Sequence, residues 1–139
     1  MKAKLVAAAL FFFSLSAFAQ EKTLHYNEQV EKEWNYAQVY RTGNLLFLSG
    51  VTAKGTMEES VTHVYKVLQM TLDKYGLDKT HVVKEGLFTR DMEAMKKAQP
   101  IRKKFYGEHS PASTWVQIDR LFEEDYMLEV EWVVEIEKQ

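Results

Sequence analysis

The side chains with the clearest chemical capacity lie near the end of the chain. Glu129, Glu131, Glu135 and Glu137 alternate with Leu128, Val130, Trp132, Val134 and Ile136. In an extended chain this puts acids on one face and apolar groups on the other. A carboxylate partly lifted out of water has a raised pKa and can exchange a proton with a neighbouring water. A row of solvated glutamates has the same pattern, so spacing alone leaves both readings open. Just upstream, Pro111-Ala112-Ser113-Thr114-Trp115-Val116 opens a second extended segment. Its alternation groups Ser113, Trp115, Gln117 and Asp119 on one side, with Ala112, Thr114, Val116 and Ile118 on the other. The expectation is that Ser113 and Trp115 join the glutamate row on a sheet face without helices, as the floor of a site.

Other chemistries lack their residues. The chain has no Cys, which removes thiol nucleophiles, thiolate metal sites and disulfides. Its four histidines, at 25, 63, 81 and 109, never fall at a metal-ligand spacing such as His-Glu-x-x-His. No metal or cofactor site is expected. Gly43, Gly50 and Gly55 do not have the spacing of a phosphate loop, and no Gly-x-Ser-x-Gly elbow surrounds Ser49.

Residues 1–19 read as an address. Lys2 and Lys4 precede an apolar run too short to span a bilayer comfortably, and Ala17-Phe18-Ala19 is a small-x-small cleavage site. The expected mature chain, 20–139, is one domain, exported to the bacterial periplasm or secreted, with no membrane association after cleavage. The whole chain has a net charge of −2. Losing two lysines and no acid brings it to −4. That is a poor match for a nucleic-acid backbone.

The elements that must position these groups follow from periodicity. Tyr36 to Tyr40 and Leu45 to Ser49, around Thr42-Gly43-Asn44, form a hairpin that Gly50 ends. Thr56 and Glu59 make a capping box. Val61, Val64, Tyr65, Leu68, Leu72 and Tyr75 form one helical stripe, and Gly76 stops it. Val82 to Phe88 is a strand in which Gly86 either weakens the pairing or marks a close approach. Asp91 caps a second helix with Pro100 inside it. The stretch before Tyr36 shows only a weak sign of a short strand or helical turn. The order is β-β-α-β-α-β-β, an α+β sheet with two helices on one face.

In that order, Tyr36-Ala-Gln-Val, Gly43-Asn-Leu-Leu-Phe-Leu-Ser-Gly50, Gly76-Leu-Asp with Val82-Val-Lys84, Phe105-Tyr106 before Pro111-Ala112, and Leu128-Glu-Val-Glu131 resemble the RidA/YjgF family, also called endoribonuclease L-PSP. The likeness covers nearly all of 36–134. It implies a chorismate-mutase-like fold, assembly as a homotrimer, and a small-molecule cleft at each subunit interface. It further implies hydrolysis of imine or enamine intermediates to carbonyl compounds plus ammonia. Carried over by position, Glu129 is the catalytic carboxylate, with Tyr36, Ser49 and Gly50 lining the cleft.

The sequence departs from the family where a substrate carboxylate would be gripped. The Arg that follows Pro-Ala in the family is Ser113 here, and Trp115 replaces a small residue. A serine cannot supply the two-pronged donor of a guanidinium. Arg120 lies about 23 Å further along an extended chain; Arg41 and Arg102 are the remaining candidates. Two readings therefore stay open: a hydrolase using Glu129, and a non-enzymatic metabolite-binding protein using the same cleft. RNA cleavage and chorismate rearrangement are disfavoured by the acidic charge and the missing cation. Cleavage after Ala19 predicts that N-terminal sequencing of the exported protein begins at Gln20; an intact Met1 would refute the leader.

Overall fold

The computed structural model describes residues 22–137; the expected leader and its cleavage site lie outside them. The elements are β1 (Thr23–Leu24), α1 (Glu28–Glu33), β2 (Val39–Thr42), β3 (Leu45–Lys54), α2 (Met57–Asp73), β4 (Val82–Thr89), α3 (Met92–Tyr106), β5 (Ala112–Gln117) and β6 (Tyr126–Glu135), with a single 3₁₀ turn at Lys79–His81. The six strands form one sheet in the order β1-β2-β3-β6-β4-β5. The β4–β5 pair is parallel, joined across α3, and the other neighbours are antiparallel.

The helices start where the sequence predicts. Thr56 accepts from the Glu59 backbone, and Glu59 returns the bond to the Thr56 N–H at 2.9 Å. Asp91 Oδ1 accepts from Ala94 N at 2.9 Å. Pro100 sits on the exposed side of α3, which runs through it. Its missing N–H costs that side a bond but leaves the packed face intact. Val61, Val64, Tyr65, Leu68 and Leu72 of α2 are buried against Leu46, Leu48, Leu87, Leu128, Val130, Trp132 and Val134 of the sheet. Met95, Ala98 and Tyr106 of α3 complete that core.

One expectation about these strands needs correction. Gly50 does not end β3, which runs on to Lys54. A register shift against β6 lies between Leu48 and Val51. Leu46 and Leu48 face the core before it, Val51 and Ala53 after it. One extra residue has inverted the alternation, as a β-bulge does. The segment before Tyr36 holds both a strand and a helix. Buried Glu31 clamps it by accepting from Tyr26 N at 2.6 Å, Asn27 N at 2.8 Å and Gln38 N at 3.0 Å, beside His25 Nδ1 at 2.6 Å.

The core also contains a fully buried carboxylate. Glu85 Oε2 accepts from Tyr65 Oη (2.8 Å), Tyr106 Oη (2.7 Å) and Trp132 Nε1 (3.2 Å); Oε1 accepts from Arg102 Nε (2.9 Å) and Ser113 Oγ (2.9 Å). Burial pushes its pKa up, but the Tyr106 bond, the Arg102 charge and the Tyr65 bond outweigh burial and bring it below 4.5. Its stabilising contribution is therefore present above the unfolded value of 4.5 and is lost as pH falls toward the lower folded value. Glu85→Ala should cost about 3–5 kcal/mol in urea unfolding at pH 7, because it strands a largely buried cation and buried hydroxyls. The deficit should narrow below pH 4.5; a neutral-pH cost under about 1 kcal/mol, the size of an exposed ion pair, would contradict the assignment.

Candidate functional site: a cleft on the open sheet face

The helices cover one side of the sheet, and the other side carries the polar row. Lys84, Gly86 and Phe88 of β4, Thr114 and Val116 of β5, and Glu129, Glu131 and Val133 of β6 share this open face, as their registers require. Tyr40, Phe47 and Val116 are substantially exposed there. A cleft of about 340 Å³ opens between β2–β3 and β4, walled by Tyr40, Phe47, Ser49, Lys84, Gly86 and Glu131.

Two glycines let the carboxylates lie down on the sheet. A Cβ at Gly86 would stand 2.7 Å from Glu131 Oε1. A Cβ at Gly50 would overlap the Glu129 carboxylate and come within 2.7 Å of its Cγ. Glu129 thus leans over β3 and Glu131 over β4, in opposite directions from one strand. Glu131 is exposed, whereas Glu129 is half-buried. Burial raises the Glu129 pKa, and the nearby Glu131 charge raises it further. This is the environment that keeps a carboxyl near its point of proton exchange.

The other expected site residues divide. Ser49 lines the cleft, donates Oγ to Ala37 O at 2.7 Å, and precedes the glycine beneath Glu129. Tyr36 stands beside the wall residue Ala37; burial and the Glu31 charge raise its hydroxyl pKa. Ser113 and Trp115 do not face this cleft. Ser113 is in register with Glu85 and donates to it, and Trp115 Nε1 donates to Ser113 Oγ at 2.9 Å, so both lie on the helix side. The apolar half of this edge strand, Ala112, Thr114 and Val116, takes the open side instead. Alternation established the pairing of side chains, but the polar interior around Glu85 reversed which half turns inward.

The candidate arginines are also on the helix side. Arg102 is held by Glu85 at 2.9 Å. Arg41 is in register with Leu46, which is fully buried beneath the helices. Arg120, beyond β5, pairs with Glu124 at 3.5 Å. The cation inside the cleft is Lys84, whose Nζ donates to Thr114 Oγ1 at 2.8 Å. Sequence reasoning did not single it out, although Gly86, two residues on and on the same face, marked the place. Among the described residues no cluster of His, Asp and Glu could hold a metal ion, and no helix is long and apolar enough to cross a membrane.

A six-stranded α+β domain with one face under helices and a carboxylate-bearing cleft on the other is the class that this geometry defines. Residues 26–136 match the endoribonuclease L-PSP family, and the chain belongs to it. A RutC family protein of Pyrococcus horikoshii is 26% identical over 105 residues, which span 69% of this chain and 82% of that protein. A YjgF/YER057c/UK114-family protein of Mycobacterium tuberculosis superposes with a TM-score of 0.74 at 17% identity, covering 81% of this chain and 97% of the other. A YjgF-family protein of Neisseria meningitidis gives 0.68 at 21% identity, covering 76% and 90%. The two structural likenesses establish the fold.

A raised carboxyl pKa penalises the ionised, folded form. That penalty is absent below the unfolded value of 4.5 and grows as pH rises through the folded value. Glu129→Gln should therefore melt at or above the wild-type temperature at pH 8, and lose that advantage below pH 4.5. A variant less stable than wild type at pH 8 would show that the carboxylate is a structural group.

Proposed function

We propose that this is a RidA-like hydrolase that binds a small imine or enamine in the open-face cleft, with Glu129 passing protons through a water. The observation that carries the reading is the half-buried Glu129 carboxylate, with its pKa raised by burial and Glu131, lying over Gly50 next to Ser49. Water adds to the imine carbon as Glu129 takes a proton from it. The same group returns that proton to the nitrogen, giving a carbinolamine, and then carries the hydroxyl proton to the nitrogen as the C–N bond breaks, so imine plus water gives carbonyl compound plus ammonia. A substrate carboxylate would meet Lys84, an ammonium acting as a point charge. The exposed Tyr36, Tyr40, Phe47 and Val116 support a homotrimer in which neighbouring subunits close the cleft. The proposed setting is the periplasm or the cell exterior, with the leader removed.

A second reading, binding without turnover, is favoured by one observation. Lys84 is already engaged by Thr114, Ser113 is turned away toward Glu85, and among the described residues no arginine lines the cleft. To separate the two, 2-iminopropanoate is generated in place from alanine with an amino-acid oxidase and catalase, and ammonia release is followed. The hydrolase reading expects release above the spontaneous rate, reduced about 100-fold or more in Glu129→Gln. A wild-type rate equal to the spontaneous one leaves only the binding reading. A monomeric mass in sedimentation would remove the subunit-interface cleft.

A further inference from the structure

On the solvent side of the helical layer, α2 and α3 leave a groove of about 530 Å³ between them. Its walls include Tyr65, Lys66 and Met70 of α2 and Ile101, Lys104 and Phe105 of α3. Ile101 and Phe105 are only partly buried against the core, and Met70 is 54% exposed. Apolar surface therefore continues from the core out into the groove. The floor is held in place. Lys79 Nζ donates to Phe105 O at 2.6 Å, and the Phe105 ring centre lies 5.0 Å from that of Tyr65.

The charges around this groove are unequal. Its one acid, Asp73, already accepts from Gln69 Nε2 at 2.8 Å. Lys74 is drawn over the Tyr26 ring, and Lys79 is taken by the Phe105 carbonyl. Lys66 and Lys104 are left, and among the described residues neither has a hydrogen bond or an ion pair. Lys66 follows Tyr65 and Lys104 precedes Phe105, so the two lysines stand at the same level on opposite helices. The surroundings reinforce them: α3 carries Lys96, Lys97, Arg102, Lys103 and Lys104 against the single acid Glu93, in a chain of net charge −2. An anion is thus favoured here, and an apolar floor favours an anion with an apolar tail. The volume is that of a small-molecule pocket, roughly 300–1,000 Å³. Nine residues line the groove, against roughly 20–30 on each side of a stable protein interface. We propose that the α2–α3 groove binds a free alkyl carboxylate of medium chain length, its head group between Lys66 and Lys104 and its tail along Met70, Ile101 and Phe105. This site lies on the opposite side of the sheet from the Glu129 cleft.

Decanoate, kept below its micelle concentration, is titrated into the full-length protein while the methyl resonance of Met70 is followed, assigned by its loss in Met70→Leu. The expected result is a saturable shift, with decanoate about tenfold tighter than octanoate because two further methylenes leave water. Decanol should bind more weakly, and decylammonium should give no saturable shift. Lys66→Glu combined with Lys104→Glu should weaken decanoate about tenfold or more. Lys96→Glu combined with Lys97→Glu changes the net charge equally, on α3 but outside the groove, and should match wild type. All four lysines are exposed, so neither pair of substitutions disturbs the core. Absence of a saturable decanoate shift, equal binding of decylammonium, or undiminished binding by the Lys66/Lys104 variant would each overturn the proposal. So would cosedimentation with phosphatidylglycerol vesicles in the absence of decanoate binding, which would make this face a membrane contact. No readout involves ammonia release, so this site and the Glu129 reaction can fail independently.

Discussion

A carboxylate sealed inside a domain of this size would prevent folding unless its charge were met from several directions. Glu85 is fully buried and meets that condition with donors from every layer around it: Tyr65 on α2, Arg102 and Tyr106 on α3, Ser113 on β5 and Trp132 on β6. Each partner lies on a different element or a different turn. The bonds therefore form together only when both long helices, the edge strand and the central strand are in place. Tyr65, Phe105, Tyr106 and Trp132 pack ring against ring around the same point. Apolar burial drives the collapse, while this polar centre selects one arrangement of the collapsed layers.

The same centre fixes what each sheet face can offer. With Glu85, Trp132 and Ser113 turned to the helices, pleating sends Lys84, Gly86, Thr114 and Glu131 to the other side. The bulge in β3 moves Ser49 and Gly50 off the core face and places the glycine under Glu129. A cleft lined by the Glu131 carboxylate and the Lys84 ammonium, with Glu129 beside it on the same sheet face, is thus a geometric consequence of where the interior charge sits. Chemistry on one face and stability on the other are set by adjacent residues of a single strand, Lys84 and Glu85.

Much of this was legible in the sequence. The α2 stripe, both helix caps, the Gly86 close approach and the β6 alternation follow from period, capping chemistry and glycine placement, all of which act within a few residues. Three features were hidden because they depend on contacts distant in sequence. The bulge between Leu48 and Val51 has no local sign beyond Gly50, which reads equally well as a strand end. The β5 face assignment failed because Ser113 and Trp115 look like a cleft lining until a buried acid is known to face them. Glu85 itself, the one acid inside Val82-Val83-Lys84-Glu85-Gly86-Leu87, carries no local sign of burial, since its partners lie 17 to 47 residues away.

The serine at 113 and the arginine at 102 are best understood as one choice. Both donate to the same oxygen of Glu85, at 2.9 Å each. Only one of them can be a cation: a second guanidinium would place two positive charges on one carboxylate in a poorly hydrated site. It would also remove the hydroxyl that accepts from Trp115, and with it the ring that covers the guanidinium. With the charge supplied from α3, position 113 needs a short neutral donor and acceptor, which serine provides. The charge balance of the interior is preserved, while its one cation faces the sheet edge instead of the open-face cleft.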